Sequence, residues 1–379
     1  MKRVSLSLLS LALACGGSES VDVEDLFARG SFEVGHVAVE ITYPAADTGE
    51  DRTLQVYLWY PTEESEGRPA RYAVGGVVNI PSNALAAPPV ADGSFPVAVY
   101  SHGNAGEGLL AYPYGELMAS HGWVVASPNH TGNTAIDALL GESDPFLRVA
   151  LDRPRDIGAV LDALADGRLA EGRADASRAM VMGHSFGGYT AFGAAGVRLD
   201  VDAQLAACAD STTESCALLA DDSFAAALRE DISDPRIVAV IPQAPALVLG
   251  FEEAALASLD VPVMLMTGRL DQTTTQTESA EPSWLGLDGP DDLWVEMPDG
   301  AHFSFITICD DLDEETLLLF QSDAFEDGCG DGFLPTTQAV PAIAAYVLAF
   351  SRQHVLGETA WDEFLRGPAF RAGFEITLN

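Results

Sequence analysis

Short apolar segments alternate with amphipathic stretches along most of the chain. Two early segments, 36–43 and 53–60, alternate apolar and polar positions, which is typical of half-buried antiparallel strands. Later segments are almost continuously apolar, which favours strands that are buried on both faces of a parallel sheet. These later segments are 96–100, 123–127, 178–182, 237–241, 261–266 and 293–297.

Helical patterns fill the intervals between these segments. They lie at about 107–120, 146–166 and 337–353, and a helix of small residues is predicted directly after Ser185. Strands that alternate with helices in this way specify an α/β domain, with a mostly parallel central sheet and helices on both faces. The antiparallel pair is expected at one edge of that sheet.

One α/β domain over 35–354 accounts for this pattern, because such domains often exceed the average length. Within it, 199–235 is longer and more acidic than a simple crossover requires. We predict that this segment forms a small cap over the pocket, with Leu205 or Phe224 as apolar contacts; a plain surface excursion is the alternative. Residues 355–379 are expected to form a C-terminal extension that packs on the domain.

The first residues have the pattern of an export signal. Two basic residues precede an apolar run, 4–14, that is too short to span a bilayer. The run ends in Ala-Leu-Ala-Cys15, which resembles a bacterial lipobox. We therefore predict a signal peptide at 1–14, a lipid anchor at Cys15 and a tether over 15–34, with an ordinary signal peptidase site as the alternative. The protein is expected in the cell envelope, or secreted if Cys15 is not lipidated, with no other membrane contact.

Four cysteines remain after Cys15, and an even number in an exported chain indicates disulfides. Of the three connectivities, Cys208–Cys216 with Cys309–Cys329 is favoured because each bond closes a local loop. A metal site is not expected, because the cysteine spacings are long and no histidine cluster lies beside them. The acidic stretches 310–315 and 323–332 could bind calcium, although most acidic loops are simply solvated.

The charge balance is strongly acidic, with 57 acidic against 19 basic residues and a net charge of −38. Binding a polyphosphate needs clustered Lys and Arg, so a nucleic-acid partner is not expected. The charge is consistent with solubility and favours neutral or cationic small molecules as substrates.

A candidate nucleophile follows the predicted strand at 178–182. Gly183-His-Ser185-Phe-Gly187 matches the pattern G-x-S-x-G, and a helix begins inside it. A nucleophile elbow requires this strand–turn–helix context, with glycines on both sides because the serine adopts a strained conformation. Phe186 opens the helix, so its backbone N–H can face a developing oxyanion.

A serine hydroxyl needs a base to remove its proton, and this motif is followed along the chain by an acid and then a histidine. Asp271 comes just after the strand at 261–266, and His302 follows the strand at 293–297. We predict a Ser185–Asp271–His302 triad. The second oxyanion donor should come from the loop after 96–100, and we assign it to the backbone N–H of Asn104.

Several motifs together resemble the bacterial predicted dienelactone hydrolases, which are similar to platelet-activating-factor acetylhydrolases and, more distantly, to cutinase-like polyester hydrolases. The motifs are Tyr-Ser-His-Gly at 100–103, Ser-Pro-Asn-His at 127–130, Asp-Arg-Pro-Arg-Asp at 152–156, Gly-His-Ser-Phe-Gly-Gly at 183–188 and Ala-His-Phe-Ser-Phe at 301–305. The resemblance covers roughly 35–350 and implies the α/β-hydrolase fold. True dienelactone hydrolases use cysteine as nucleophile, so their substrate is not carried over. Asn104 stands where the acetylhydrolases usually have an apolar residue.

The sequence thus predicts a carboxylic-ester hydrolase that acts through an acyl-enzyme on short-to-medium acyl esters, without metal or organic cofactor. Two alternatives stay open: a binding lipoprotein that keeps the fold without turnover, and a peptidase or amidase with the same triad.

Overall fold

The computed structural model describes residues 23–76, 78–209, 211–368 and 373–379. The predicted signal peptide at 1–14, the anchor Cys15 and residues 16–22 of the tether lie outside these residues.

The described strands and helices follow the predicted alternation. The strands are β1 (Glu33–Pro44), β2 (Asp51–Thr62), β3 (Tyr72–Val74), β4 (Val78–Ile80), β5 (Leu85–Ala86), β6 (Phe95–Ser101), β7 (Val124–Pro128), β8 (Ala174–His184), β9 (Ile237–Gln243), β10 (Met264–Gly268), β11 (Leu293–Met297) and β12 (Glu375–Leu378). The helices are α1 (Tyr112–Ser120), α2 (Ala135–Leu140), α3 (Phe146–Ala165), α4 (Phe186–Ala194), α5 (Val201–Ala207), α6 (Glu214–Leu219), α7 (Asp222–Leu228), α8 (Glu281–Gly286), α9 (Ile308–Asp311), α10 (Glu314–Phe320), α11 (Thr336–Leu356) and α12 (Asp362–Arg366).

Ten of these strands form one sheet, in the order β12-β11-β10-β9-β8-β6-β7-β2-β1-β5. The strands from β6 to β11 are parallel to one another, which confirms the predicted α/β architecture. β1 and β2 pair antiparallel towards one edge, as expected, with the short β5 outside them. At the other edge β12, which was not predicted as a strand, pairs antiparallel with β11 and joins the C-terminal extension to the sheet.

The inner strands are buried on both faces, which explains their continuous apolar runs. On β6, Val97 and Val99 belong to the core cluster that includes residues of α3 and α4, whereas Ala98 and Tyr100 belong to the cluster on the other face, with α1 and α11. α11 is long and apolar enough to cross a membrane by length and composition alone, but 72% of its most apolar window is buried inside the domain. It is therefore the core helix of that face.

The segment 199–235 contains α5, α6 and α7, and the predicted Cys208–Cys216 bond joins the end of α5 to α6. The predicted Cys309–Cys329 bond is also present. Phe224 is buried in an apolar cluster with Leu147 and Phe186, and Leu205 is 37% exposed. The insertion therefore packs against Phe186 at the start of α4. Its role as a cap over the substrate pocket stays a prediction.

Candidate active site

A tight turn at Ser185 connects the end of β8 to the start of α4. Ser185 has φ 57° and ψ −116°, a strained conformation for a residue with a side chain. A Cβ on Gly183 would lie 2.4 Å from the carbonyl oxygen of Gly187, and a Cβ on Gly187 would lie 1.9 Å from that of Ser101. Both glycines are therefore required, and the turn has the geometry that exposes a serine hydroxyl above a parallel sheet.

Asp271 lies in the loop after β10, and its buried carboxylate accepts four hydrogen bonds. Its Oδ1 accepts the backbone N–H groups of Thr273 and Thr274, at 2.9 and 2.6 Å. Its Oδ2 accepts the hydroxyl of Thr274 at 2.7 Å and Nδ1–H of His302 at 2.9 Å. The structure thus brings together the two residues that the sequence analysis paired across 31 positions.

His302 begins a single helical turn, His302–Phe305, in the loop after β11. Because its Nδ1–H donates to Asp271, the ring is the tautomer whose Nε2 can accept a proton. The described residues show no direct hydrogen bond between this nitrogen and the Ser185 hydroxyl, but both side chains line one cavity. Such contacts are often long before a substrate binds.

His184, inside the elbow, orients His302 in a way that the sequence analysis did not anticipate. Its Nε2–H donates to the backbone carbonyl of His302 at 2.8 Å, and the two rings pack with centres 4.7 Å apart. Burial lowers the pKa of His184 well below its usual value, so this ring is neutral and does not compete for the proton.

The sequence analysis assigns the oxyanion donors to the backbone N–H groups of Phe186 and Asn104, which lie in two segments next to Ser185. That of Phe186 is the first of α4, where helix geometry leaves N–H groups without an acceptor. That of Asn104 lies in the loop after β6, which comes so close that a Cβ on Gly103 would lie 3.4 Å from the Cβ of Ser185. Among the described residues, neither group donates to another backbone carbonyl. Their role as oxyanion donors stays a prediction.

Arg153, on α3, is fully buried. It contacts both the loop that carries Asn104 and the start of α4 at Phe186. Its guanidinium donates to the carbonyl of His102 and, at 3.2 Å, to Oδ1 of Asn133, whose amide holds the Asn104 side chain at 2.8 Å. The same guanidinium lies 4.9 Å from the centre of the Phe186 ring. Burial lowers the pKa of Arg153 to about 9, so it stays charged at neutral pH. In the sequence this arginine belongs to the Asp-Arg-Pro-Arg-Asp motif at 152–156, which gives no sign of these contacts.

A second Ser–His–Asp chain lies close by but is closed to substrate. The hydroxyl of Ser101 lies 2.8 Å from Nε2 of His130, whose Nδ1 lies 2.8 Å from Oδ2 of Asp156. All three residues are fully buried, and Asp156 is paired with Arg52 at 2.8 Å. Burial lowers the pKa of His130 to about 3. Access to solvent therefore distinguishes Ser185, which lines a cavity, from Ser101, which is part of the core.

Two cavities meet at Ser185, and Asn104 and Thr273 line both. The first, of about 220 Å³, lies on the side of His302. Its apolar walls are formed by Leu110, Phe303, Ile306, Ile308 and Leu312. The second, of about 360 Å³, lies beside Phe186 and is bounded by Phe146, Pro245 and Leu247. No described residue of 199–235 lines either cavity.

A family model described as chlorophyllase matches residues 68–270, just over half of the chain. The chain belongs to the chlorophyllase family. The match includes Ser185 and Asn104 and ends one residue before Asp271, so it covers neither Asp271 nor His302. The expected membership of the α/β-hydrolase esterases is thereby confirmed, and the chain is an ester hydrolase by family.

The fold has a close counterpart among solved structures. A ferulic acid esterase from Streptomyces cinnamoneus has a TM-score of 0.65 with this chain, at 23% sequence identity, and the match covers 92% of this chain and 96% of that one. At this identity the likeness establishes the fold, and it confirms the α/β-hydrolase prediction. Comparison with the curated proteins finds no match.

Proposed function

We propose that the protein hydrolyses carboxylic esters through an acyl-enzyme on Ser185, with His302 as base and Asp271 as its orienting acid. The observation that carries the proposal is the strained Ser185 on the wall of a cavity that His302 also lines, with Nδ1 of His302 2.9 Å from Oδ2 of Asp271. Neither a metal nor an organic cofactor takes part in this mechanism.

Each step assigns the proton to a named atom. Nε2 of His302 takes the hydroxyl proton of Ser185 while Oγ attacks the ester carbonyl carbon, and Asp271 stabilises the imidazolium. The carbonyl oxygen becomes an oxyanion bound by the N–H groups of Phe186 and Asn104, each worth about 3 kcal/mol in related chemistry. His302 then protonates the leaving alkoxide. Water attacks the acyl-enzyme along the same route, which releases the acid and restores Ser185.

Each of the two cavities can hold one part of the ester, the alcohol or the acyl group. The leaving oxygen must lie within reach of His302, so the alcohol part occupies the apolar cavity of about 220 Å³. The acyl part then extends past the donors into the more open cavity of about 360 Å³, where the exposed ring of Phe146 stacks on Phe186 with centres 5.5 Å apart. This arrangement favours a compact apolar alcohol and leaves room for a larger, planar acyl group.

A graded series of p-nitrophenyl esters tests the proposal, with Ser185→Ala as the matched control. Methyl ferulate and chlorophyll belong in the panel because of the names of the structural neighbour and of the family. Wild type should release product, and the variant should not. Equal inertness of both proteins across the panel would favour a binding lipoprotein instead. Cleavage of peptide or amide analogues in preference to esters would favour the peptidase or amidase alternative.

We also propose that the protein is exported and anchored by a lipid on Cys15. The lipobox-like sequence and the two disulfides, which persist in oxidising compartments, support this. Labelling with palmitate and sensitivity of processing to globomycin are the expected results, and Cys15→Ala should abolish both. Processing that is unaffected by globomycin would instead indicate an ordinary signal peptidase site and a secreted protein.

A further inference from the structure

Asp327 lies in the loop between α10 and α11, two residues before Cys329. It is 3% exposed, and taking a carboxylate out of water is costly unless hydrogen bonds replace the lost solvent. The described partners of this carboxylate all belong to two other loops, those that carry Asp271 and His302.

The carboxylate of Asp327 bonds to both of these loops at once. Its Oδ1 accepts the backbone N–H of Gln272 at 3.0 Å and the backbone N–H of His302 at 3.1 Å. Its Oδ2 accepts the hydroxyl of Thr273 at 2.8 Å. Gln272 and Thr273 directly follow Asp271. One side chain therefore bonds both to the two residues that follow Asp271 and to the backbone of His302.

The backbone around Asp327 is packed equally closely against the base. The carbonyl of Asp327 accepts the N–H of Phe303 at 2.9 Å. Gly328 has φ +140°, and a Cβ there would lie 2.9 Å from the backbone nitrogen of Phe303. Only glycine permits this approach. The loop thus contacts His302 through the side chain of Asp327, and Phe303 through the backbone of Asp327 and Gly328.

The Cys309–Cys329 disulfide holds this loop in place. It ties the residue two positions after Asp327 to α9, which starts six residues after His302. The N–H of Cys329 also donates to the carbonyl of Ala324 at 2.8 Å, so Asp327 sits inside a closed turn. If the disulfide opened, Asp327 would lose its nearest covalent restraint.

From these contacts we infer that Asp327 is a positioning residue that sets the geometry of the His302–Asp271 pair, and that the Cys309–Cys329 disulfide is required to keep it in position. Reduction of this bond should therefore lower turnover, whereas opening of the Cys208–Cys216 bond should not. The expected effect on turnover rests on the proposed function. The positioning of His302 and Asp271 by Asp327 rests only on the hydrogen bonds described above.

Substitutions at Asp327 test the first part. Asp327→Ala should lower kcat about 100-fold, the scale expected when a reacting group is misplaced by about 1 Å, with little change in KM. Asp327→Asn keeps one oxygen acceptor for the two N–H groups, so it should restore a large part of kcat. Asp331→Ala, in the same loop but exposed, is the matched control. Equal kcat in Asp327→Ala and Asp331→Ala would overturn the inference.

The two disulfides form a second matched pair. Cys309→Ser with Cys329→Ser should lower kcat at temperatures where the protein is still folded, while Cys208→Ser with Cys216→Ser should lower only the melting temperature. The low-field proton NMR signal of His302 Nδ1–H should broaden or vanish in the first double variant and in Asp327→Ala, and persist in the second. This signal reports the His302–Asp271 hydrogen bond and does not depend on turnover. It therefore tests the positioning role of Asp327 even if wild type hydrolyses no ester in the panel. A signal that persists in all variants would overturn it.

Discussion

At the scale of single residues, the site shows that side-chain identity does not define a catalytic triad. Ser101, His130 and Asp156 are bonded in sequence as a triad would be, yet all three are fully buried. Ser185 differs because its backbone is strained and its side chain reaches a cavity. Strain of this kind persists only where surrounding structure enforces it.

Replacing Ser185 and Ser101 by alanine, one at a time, should show which of the two Ser–His–Asp groups is catalytic. Ser185→Ala should abolish ester turnover with almost no loss of stability, because the cavity-lining hydroxyl is not needed for packing. Ser101→Ala should keep turnover within a few-fold of wild type but lower stability by about 1–3 kcal/mol, since the Nε2 of His130 loses its partner in the core. Hydrolysis rates and denaturant melts of both variants provide the check, and a reversal of the two outcomes would contradict the assignment.

Asp271→Asn should lower kcat by about 10⁴-fold while keeping the fold, because an amide can stabilise the wrong imidazole tautomer and cannot stabilise imidazolium. A loss below tenfold would indicate that another group orients His302. Rates should be measured alongside a melting curve, so that loss of the native state is not mistaken for loss of catalysis.

Arg153→Met should weaken both donor segments, because it removes the hydrogen bonds to His102 and Asn133 and the charge beneath Phe186. We expect a fall in kcat of roughly 10–100-fold, a fraction of the effect of deleting one oxyanion donor. Arg153→Lys keeps the charge but not the planar contact, and its rate should lie between those of wild type and Arg153→Met. Equal rates in all three proteins would exclude this role.

At the scale of elements, the glycines of the elbow couple β8 to α4. Gly187→Ala should fail to fold or melt well below wild type, because its Cβ would overlap the carbonyl of Ser101 at 1.9 Å. Gly158→Ala, inside α3 where no atom lies within 4 Å of an added Cβ, should stabilise by up to about 1 kcal/mol. The comparison of the two melting curves separates a steric requirement from ordinary helix propensity.

The elements were largely predictable because apolar periodicity reports burial. The parallel strands, α3 and α11 lie close to their predicted positions, and the acid and the base follow β10 and β11 as the chain order requires. The edge strand β12 was missed because its residues are mostly exposed and carry little periodicity. Arg153, His184 and Asp327 were missed for a different reason: their roles depend on contacts between segments distant in the chain, which no local pattern reveals.

At the scale of the whole molecule, the core holds histidines that must stay neutral. Burial lowers the pKa of His36 to about 4 and that of His130 to about 3. Between about pH 6.5 and these lowered pKa values, the unfolded chain binds more protons than the folded one. The free energy of unfolding therefore falls as the pH is lowered from about 6.5 towards 4.

Melting curves between pH 7 and pH 4 should show this loss, with a contribution of up to about 1.4 kcal/mol per pH unit from each such histidine. His36→Phe, which keeps an aromatic ring beside Trp59 and Tyr72, should flatten the curve. An unchanged slope in this variant would show that other groups dominate the acid sensitivity.

The central claim is that His302 and Asp271 activate Ser185 as a nucleophile, and covalent trapping tests it most directly. A fluorophosphonate loses fluoride when an activated serine oxygen attacks its phosphorus, and peptide mass spectrometry locates the adduct. We predict one adduct per chain on the peptide that contains Ser185, formed far more slowly in His302→Ala and absent in Ser185→Ala. An adduct at any other residue, or labelling of Ser185 that is equally fast without His302, would contradict the account.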